Sequence, residues 1–129
     1  MIIVVVTFKI SSEINKTILK EKFLETSPIY KDAPGLIRKN YISDLENNIA
    51  GGVYCFDNMI NAKKWFDDER IEWLTNRYSK PDLKFYENPV IVDNNVNKII
   101  SWLHLLTKIY KQYLNQFPLS CFEVLDKLK

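Results

Sequence analysis

Hydrophobic residues follow two different periods along the chain. The opening run IIVVVTFKI places Ile2, Val4, Val6, Phe8 and Ile10 on one face of a strand and Ile3, Val5 and Thr7 on the other. Both faces are mostly apolar and β-branched, the pattern of a strand covered on both sides. Ser11 or Ser12, with Glu13 just behind, reads as the cap of a helix running to about Tyr30 that carries Ile18, Leu19, Phe23 and Tyr30 roughly on one side. Pro34-Gly35 stops this helix and turns the chain.

The next two strands mix apolar and polar residues on both faces. Leu36, Arg38, Asn40 and Ile42 fall on one side of the first, with Ile37, Lys39, Tyr41 and Ser43 on the other. In the second, Ile49, Gly51, Val53 and Cys55 alternate with Ala50, Gly52, Tyr54 and Phe56, and the Asp- and Asn-rich DLENN between the strands suits a hairpin turn. Gly51-Gly52 inside a strand marks a bulge or a close approach by a ligand or by backbone. Asp57-Asn58 is a helix-start signal, and the helical region it opens extends to about Ser79, its period faltering at DDER. Pro81 begins a last core strand, DLKFYENPVIVD, in which Pro89 implies an edge position or a bulge.

Strand, helix, strand, strand, helix, strand, joined by right-handed crossovers, gives an α+β ferredoxin-like βαββαβ sandwich: a four-stranded antiparallel sheet with its helices on one face. Two helical regions cover only that face, yet the first and third strands carry apolar residues on both. The second face therefore needs another cover, either a second copy of the chain or the chain's own extension. We place the core domain at residues 1–94 and a helical C-terminal extension at 95–129, where Ile99, Trp102, Leu103, Leu106, Ile109, Tyr110, Tyr113, Leu114 and Phe117 recur at helical steps until Pro118. Packing on the domain or on a partner subunit is the simplest use of such a helix.

Composition narrows the function classes. A chain of 129 residues, 47% hydrophobic, is the size of one globular domain. Its formal charge of +2 is made of interspersed signs, which gives no nucleic-acid or anionic-membrane footprint. The N-terminal run lacks a basic leader and a cleavage site, and no apolar stretch has membrane-spanning length, so a cytoplasmic protein is expected. Cys55 and Cys121 form no C-x-x-C pair and His104 is the one histidine, so neither a metal site nor a disulfide framework is expected.

The segments VTFKI, FLETSPIYKDAPGLIRKNYIS, AGGVYCFDN and YENPVIVDN together resemble the YdhR-like mono-oxygenase family, within the dimeric α+β barrel superfamily that also holds the antibiotic-biosynthesis mono-oxygenases. The likeness spans about Met1 to Asn94. It implies a homodimer in which two sheets pack face to face, with a pocket between each sheet and its helices. It also implies a mono-oxygenase working on a small aromatic or polycyclic phenolic substrate with dioxygen and no cofactor. The alternative is a non-catalytic ligand-binding or structural barrel protein of the same fold.

Such chemistry calls for a dry aromatic pocket and for a polar group facing a developing oxyanion. Arg38 and Asn40 are the candidate catalytic donors. Tyr41, Tyr54, Trp65, Trp73 and Tyr86 are the candidate substrate-binding aromatics, although packing alone accounts for large aromatics just as readily. Haem degradation is disfavoured, because Thr7 stands in the strand region where haem-degrading relatives use asparagine and no histidine precedes His104.

Overall fold

The computed structural model describes residues 1–101. Strand β1 (Ile2–Lys9) leads into helix α1 (Lys16–Lys31), then strands β2 (Leu36–Asp44) and β3 (Ile49–Phe56), helices α2 (Met59–Trp65) and α3 (Asp68–Arg77), and strand β4 (Asp82–Glu87). These four strands form one antiparallel sheet in the order β2-β3-β1-β4. Each helical crossover joins two parallel strands and leaves room for a third between them, which is the ferredoxin-like arrangement.

Helix ends are fixed by side-chain caps. Asn15, rather than Ser11 or Ser12, caps α1, its Oδ1 accepting from the Ile18 N–H at 2.9 Å; the chain makes a turn at Ser12-Glu13 before the helix begins. Pro28 lies inside α1 and offers no N–H to the carbonyl of Leu24. The Ser27 hydroxyl donates to that carbonyl at 2.9 Å instead, so the acceptor is satisfied and the helix continues. The faltering period at DDER is a real break: Asp67 accepts from the Arg70 N–H at 2.8 Å and starts α3 as a separate helix. Asn58 caps α2 in the same way. Gly35 holds φ at 74°, and a Cβ there would meet the Asn61 side chain, so the turn after α1 requires glycine.

The core lies between the helices and one sheet face. Val4 and Val6 of β1, Ala50, Tyr54 and Phe56 of β3 and Leu83 and Phe85 of β4 pack with Leu19 and Tyr30 of α1, Ala62 of α2, Phe66, and Leu74 of α3. The other face carries Ile3, Val5, Val53 and Cys55, none of which belongs to that core. Arg77 ties the helical layer together, donating from one guanidinium nitrogen to the Lys22 carbonyl at 3.2 Å and to Glu25 at 3.1 Å.

The run DLKFYENPVIVD is two strands rather than one. Pairing with β1 ends at Glu87, and the chain divides into two compact units after Asn88, next to Pro89. In the second unit, β5 (Val90–Asp93) and β6 (Lys98–Ser101) form an antiparallel hairpin with Val90 opposite Ser101 and Asp93 opposite Lys98. Its turn places Asn97 at φ 51°, a conformation asparagine tolerates. Ile99, assigned by its spacing to an extension helix, is in β6. The remaining helical positions from Trp102 onward, together with His104 and Cys121, lie outside the described residues. Among the described residues no helix is long and apolar enough to cross a membrane.

Candidate functional site

A bulge in β2 decides which candidate residues meet. Leu36 pairs with Phe56, but the next pair is Arg38 with Cys55, so Ile37 is an extra residue in the strand. Leu36 consequently packs on the helix-side core, with Lys39 and Tyr41, rather than sharing a face with Arg38, Asn40 and Ile42 as simple alternation predicts. This shift is invisible in composition.

The candidates therefore divide between two faces. Arg38 and Asn40 stand opposite Cys55 and Val53 on the face without helices, and the Arg38 Nε donates to the Asn40 Oδ1 at 3.3 Å. Tyr86, opposite Ile3, shares that face but lies on the far edge strand, three strand spacings or ~14 Å away. Tyr41, Tyr54, Trp65 and Trp73 all belong to the helix side. One subunit thus brings the four helix-side aromatics together and brings neither Arg38 nor Asn40 to Tyr86.

What the helix-side aromatics surround is a residue that sequence reasoning passed over. The Lys39 Nζ lies 3.3 Å from the Tyr30 ring centroid, 3.7 Å from that of Tyr41 and 4.7 Å from that of Tyr54. Tyr30 in turn packs against Trp65, ring centroids 5.6 Å apart, and Tyr41 stacks on Phe23 at 4.4 Å. Thr26, buried in α1, shares a 3.1 Å hydrogen bond with the Tyr41 hydroxyl. Gly52 makes the space: a Cβ there would stand 2.9 Å from the Tyr54 ring and 3.1 Å from the Lys39 Cε. Of the two glycines, Gly51 answers to backbone, since its Cβ would collide with the Val6 carbonyl, whereas Gly52 answers to the lysine and the tyrosine.

The electrostatics of this cage follow from burial. Desolvation, and after it the positive charge of Arg70, bring the Lys39 amine down to about 6. The tyrosine ring faces act in the opposite sense, because their quadrupoles attract an ammonium. Both forms of the amine are thereby accessible close to neutral pH. Burial raises the Tyr30 phenol, takes that of Tyr41 to about 12, and pushes that of Tyr54 further up with help from Tyr30. The rings stay neutral, so none supplies a counter-charge. Arg70 is held between indoles, its guanidinium carbon 4.3 Å from the Trp65 ring centroid and 5.3 Å from that of Trp73. Among the described residues the one ion pair is Arg77 with Glu25, so no carboxylate neutralises Arg70 directly. The Trp65 indole N–H is buried without an acceptor among the described residues.

Lys39, Tyr30 and Tyr41 line two spaces. One is an interior cavity of about 10 Å³, room for little more than a water, closed by Phe23, Thr26 and Tyr54. The other is a groove of about 250 Å³ completed by Ser27, Lys31, Leu36, Ile37 and Arg38. Trp65 and Trp73 border a third space of about 330 Å³ with Arg70. A neutral amine facing a groove can take a proton or attack an electrophile, and Lys31 at the same groove can hold an anion. Among the described residues no three His, Cys, Asp or Glu side chains gather as metal ligands. One sequence signal for Lys39 existed: it shares a strand face with Tyr41 and stands opposite Tyr54, next to a glycine.

No family model matches the chain, and no curated protein matches it by sequence. Solved structures do match. One, described as a putative antibiotic biosynthesis monooxygenase from Deinococcus radiodurans, is 15% identical with a TM-score of 0.54, covering 72% of this chain and 97% of its own. Another, SnoaB, a cofactor-independent oxygenase from Streptomyces nogalater, is 11% identical with a TM-score of 0.51, covering 67% of this chain and 91% of its own. At such identities the likeness is one of fold: the chain has the ferredoxin-like α+β architecture of antibiotic-biosynthesis-monooxygenase-like proteins.

Proposed function

We propose that the protein is a cofactor-independent mono-oxygenase acting on a small phenolic or anthrone-like aromatic, with Lys39 as its base. The observation that carries this reading is the Lys39 amine, caged by Tyr30, Tyr41 and Tyr54 and lining the 250 Å³ groove. The shared fold with an oxygenase of that kind supports it. The groove lies just below the ~300–1,000 Å³ usual for ligand pockets, which favours one or two rings over a larger polycycle.

Cofactor-free oxygenation needs a substrate that becomes an electron donor once deprotonated. The neutral Lys39 amine takes the proton from the substrate, leaving an anion in a groove whose lining carries Lys31 and no carboxylate. The anion passes an electron to dioxygen, the two radicals combine as a hydroperoxide, and loss of water leaves a ketone. The balance is R2CH2 + O2 giving R2CO + H2O. Tyr30 and Tyr41 supply the aromatic wall.

The proposal includes a cytoplasmic homodimer of the YdhR-like type, in which the faces carrying Ile3, Val5, Val53 and Cys55 meet. Sedimentation equilibrium should give a dimer at micromolar concentration, and a stable monomer there would remove this part. The catalytic part is tested by oxygen uptake over a panel of phenols, anthrones and quinols. Lys39→Met should lose about 10²–10⁴-fold in rate while remaining folded. A second reading, a non-catalytic ligand-binding barrel, is favoured by the near-filled interior of about 10 Å³. It predicts ligand binding with no oxygen uptake for the wild-type protein.

A further inference from the structure

We propose that Lys39 also captures small anionic carbonyl compounds, of the 2-oxo acid class, as an imine formed in the groove between α1 and β2. The inference needs no oxygenation, and it concerns bond formation to carbon rather than proton transfer.

Three observations carry it. First, Lys39 is one of the groove's lining residues, and its side chain is held in place by Gly52, Tyr41 and Tyr54. Second, the same groove holds a further cation, Lys31 from the end of α1, and no carboxylate residue is among its lining. A ligand bearing a carboxylate next to its carbonyl would set the anion on Lys31 and present the carbonyl carbon to the amine. Third, Leu36, Ile37 and the rings of Tyr30 and Tyr41 give the groove apolar wall against which a short carbon chain can rest. Burial also leaves a substantial fraction of this amine uncharged near neutral pH, where ordinary surface lysines are almost wholly ammonium.

The step balances without a redox partner. The Lys39 nitrogen lone pair forms a bond to the carbonyl carbon, the oxygen takes up a proton to give a carbinolamine, and the carbon–oxygen bond breaks to release water: R(C=O)COO⁻ plus the amine gives the imine plus H2O. Solvent water at the groove carries that proton.

Reductive trapping tests the inference. The whole protein is incubated at about pH 6.5 with pyruvate or glyoxylate and cyanoborohydride, which delivers hydride to the imine carbon, and the adduct is mapped by peptide mass spectrometry. A single adduct on Lys39, at least about tenfold above any other lysine, is expected from the difference in free-base fraction. It should form faster with pyruvate than with acetone. Lys31→Gln, an exposed change that leaves the fold intact, should slow pyruvate trapping several-fold and leave acetone trapping unaltered. Adducts spread over many lysines, or none at all, would overturn the proposal. Equal trapping of pyruvate and acetone would overturn its substrate class. Trapping without oxygen uptake would sink the oxygenase and spare this inference, and uptake without trapping would do the reverse.

Discussion

Arg38 and Lys39 are neighbours in sequence and belong to opposite sides of one sheet. On the helix side, Lys39 has three tyrosine rings within 5 Å of its amine, and burial brings it down to about 6. On the other side, Arg38 is exposed and spends its Nε on a 3.3 Å hydrogen bond to Asn40. The difference teaches that the chemistry of a basic residue here depends on which face the bulge at Ile37 assigns to it. Removing water strengthens every charge–charge and charge–ring interaction, so the helix face converts an ordinary lysine into a titrating group near neutrality.

The comparison can be broken most forcefully by emptying the packed face. Phe56, fully buried in β3, should cost ~3–5 kcal/mol as Phe56→Ala, read by urea denaturation. Tyr86→Ala, half-exposed on the opposite face, should cost well under ~1 kcal/mol in the isolated subunit. Equal losses would mean that the two faces do not differ in packing.

An effect of similar size, and more specific to Lys39, is the dependence of stability on pH. An unfolded lysine titrates near 10.4, while the folded one is at about 6. Between those values the unfolded chain holds more protons, so stability rises with pH, by at most ~1.4 kcal/mol per unit. The penalty is fully present below about 6 and gone above the unfolded value. Relative to Lys39→Met, the wild-type protein should therefore gain stability from pH 6 to pH 9, measured by urea midpoints in matched buffers. A flat difference would place the amine in water.

Smaller still, Gly52→Ala pushes a methyl against the Tyr54 ring and the Lys39 stem and should cost ~1–3 kcal/mol. Because the lysine end is flexible, part of the strain is relieved by displacing the amine, and the pH dependence should flatten in the same variant. At the small end, Ser27→Ala removes the donor to the Leu24 carbonyl beside Pro28 and should cost ~1 kcal/mol, a modest drop in melting temperature.

Much of this architecture is legible in the residues themselves. The two-sided apolar run of β1, the Asn58 cap, the break at Asp67 and the order of elements follow from periodicity and capping chemistry, and with right-handed crossovers they lead to the sheet order observed. The site is less legible for physical reasons. One extra residue at Ile37 shifts Leu36 to the other face and leaves no mark in composition. A strand lysine is solvated far more often than buried, so Lys39 has no distinguishing pattern until Gly52 and three rings are seen around it. Arg70 acts across helices through Trp65 and Trp73, a tertiary arrangement that local sequence does not encode. Pro89 does announce an interruption, but not that β5 will leave the sheet to pair with β6.

The central claim is that Lys39 is a desolvated amine in a tyrosine cage. Its most direct test is an NMR titration of the Lys39 side chain, following the Cε and Nζ resonances assigned through Lys39→Arg. The account predicts a midpoint near 6, separated from the other lysines, that moves upward when Arg70→Met removes the neighbouring charge. A midpoint near ~10.4, in the range of an unperturbed lysine, would contradict it.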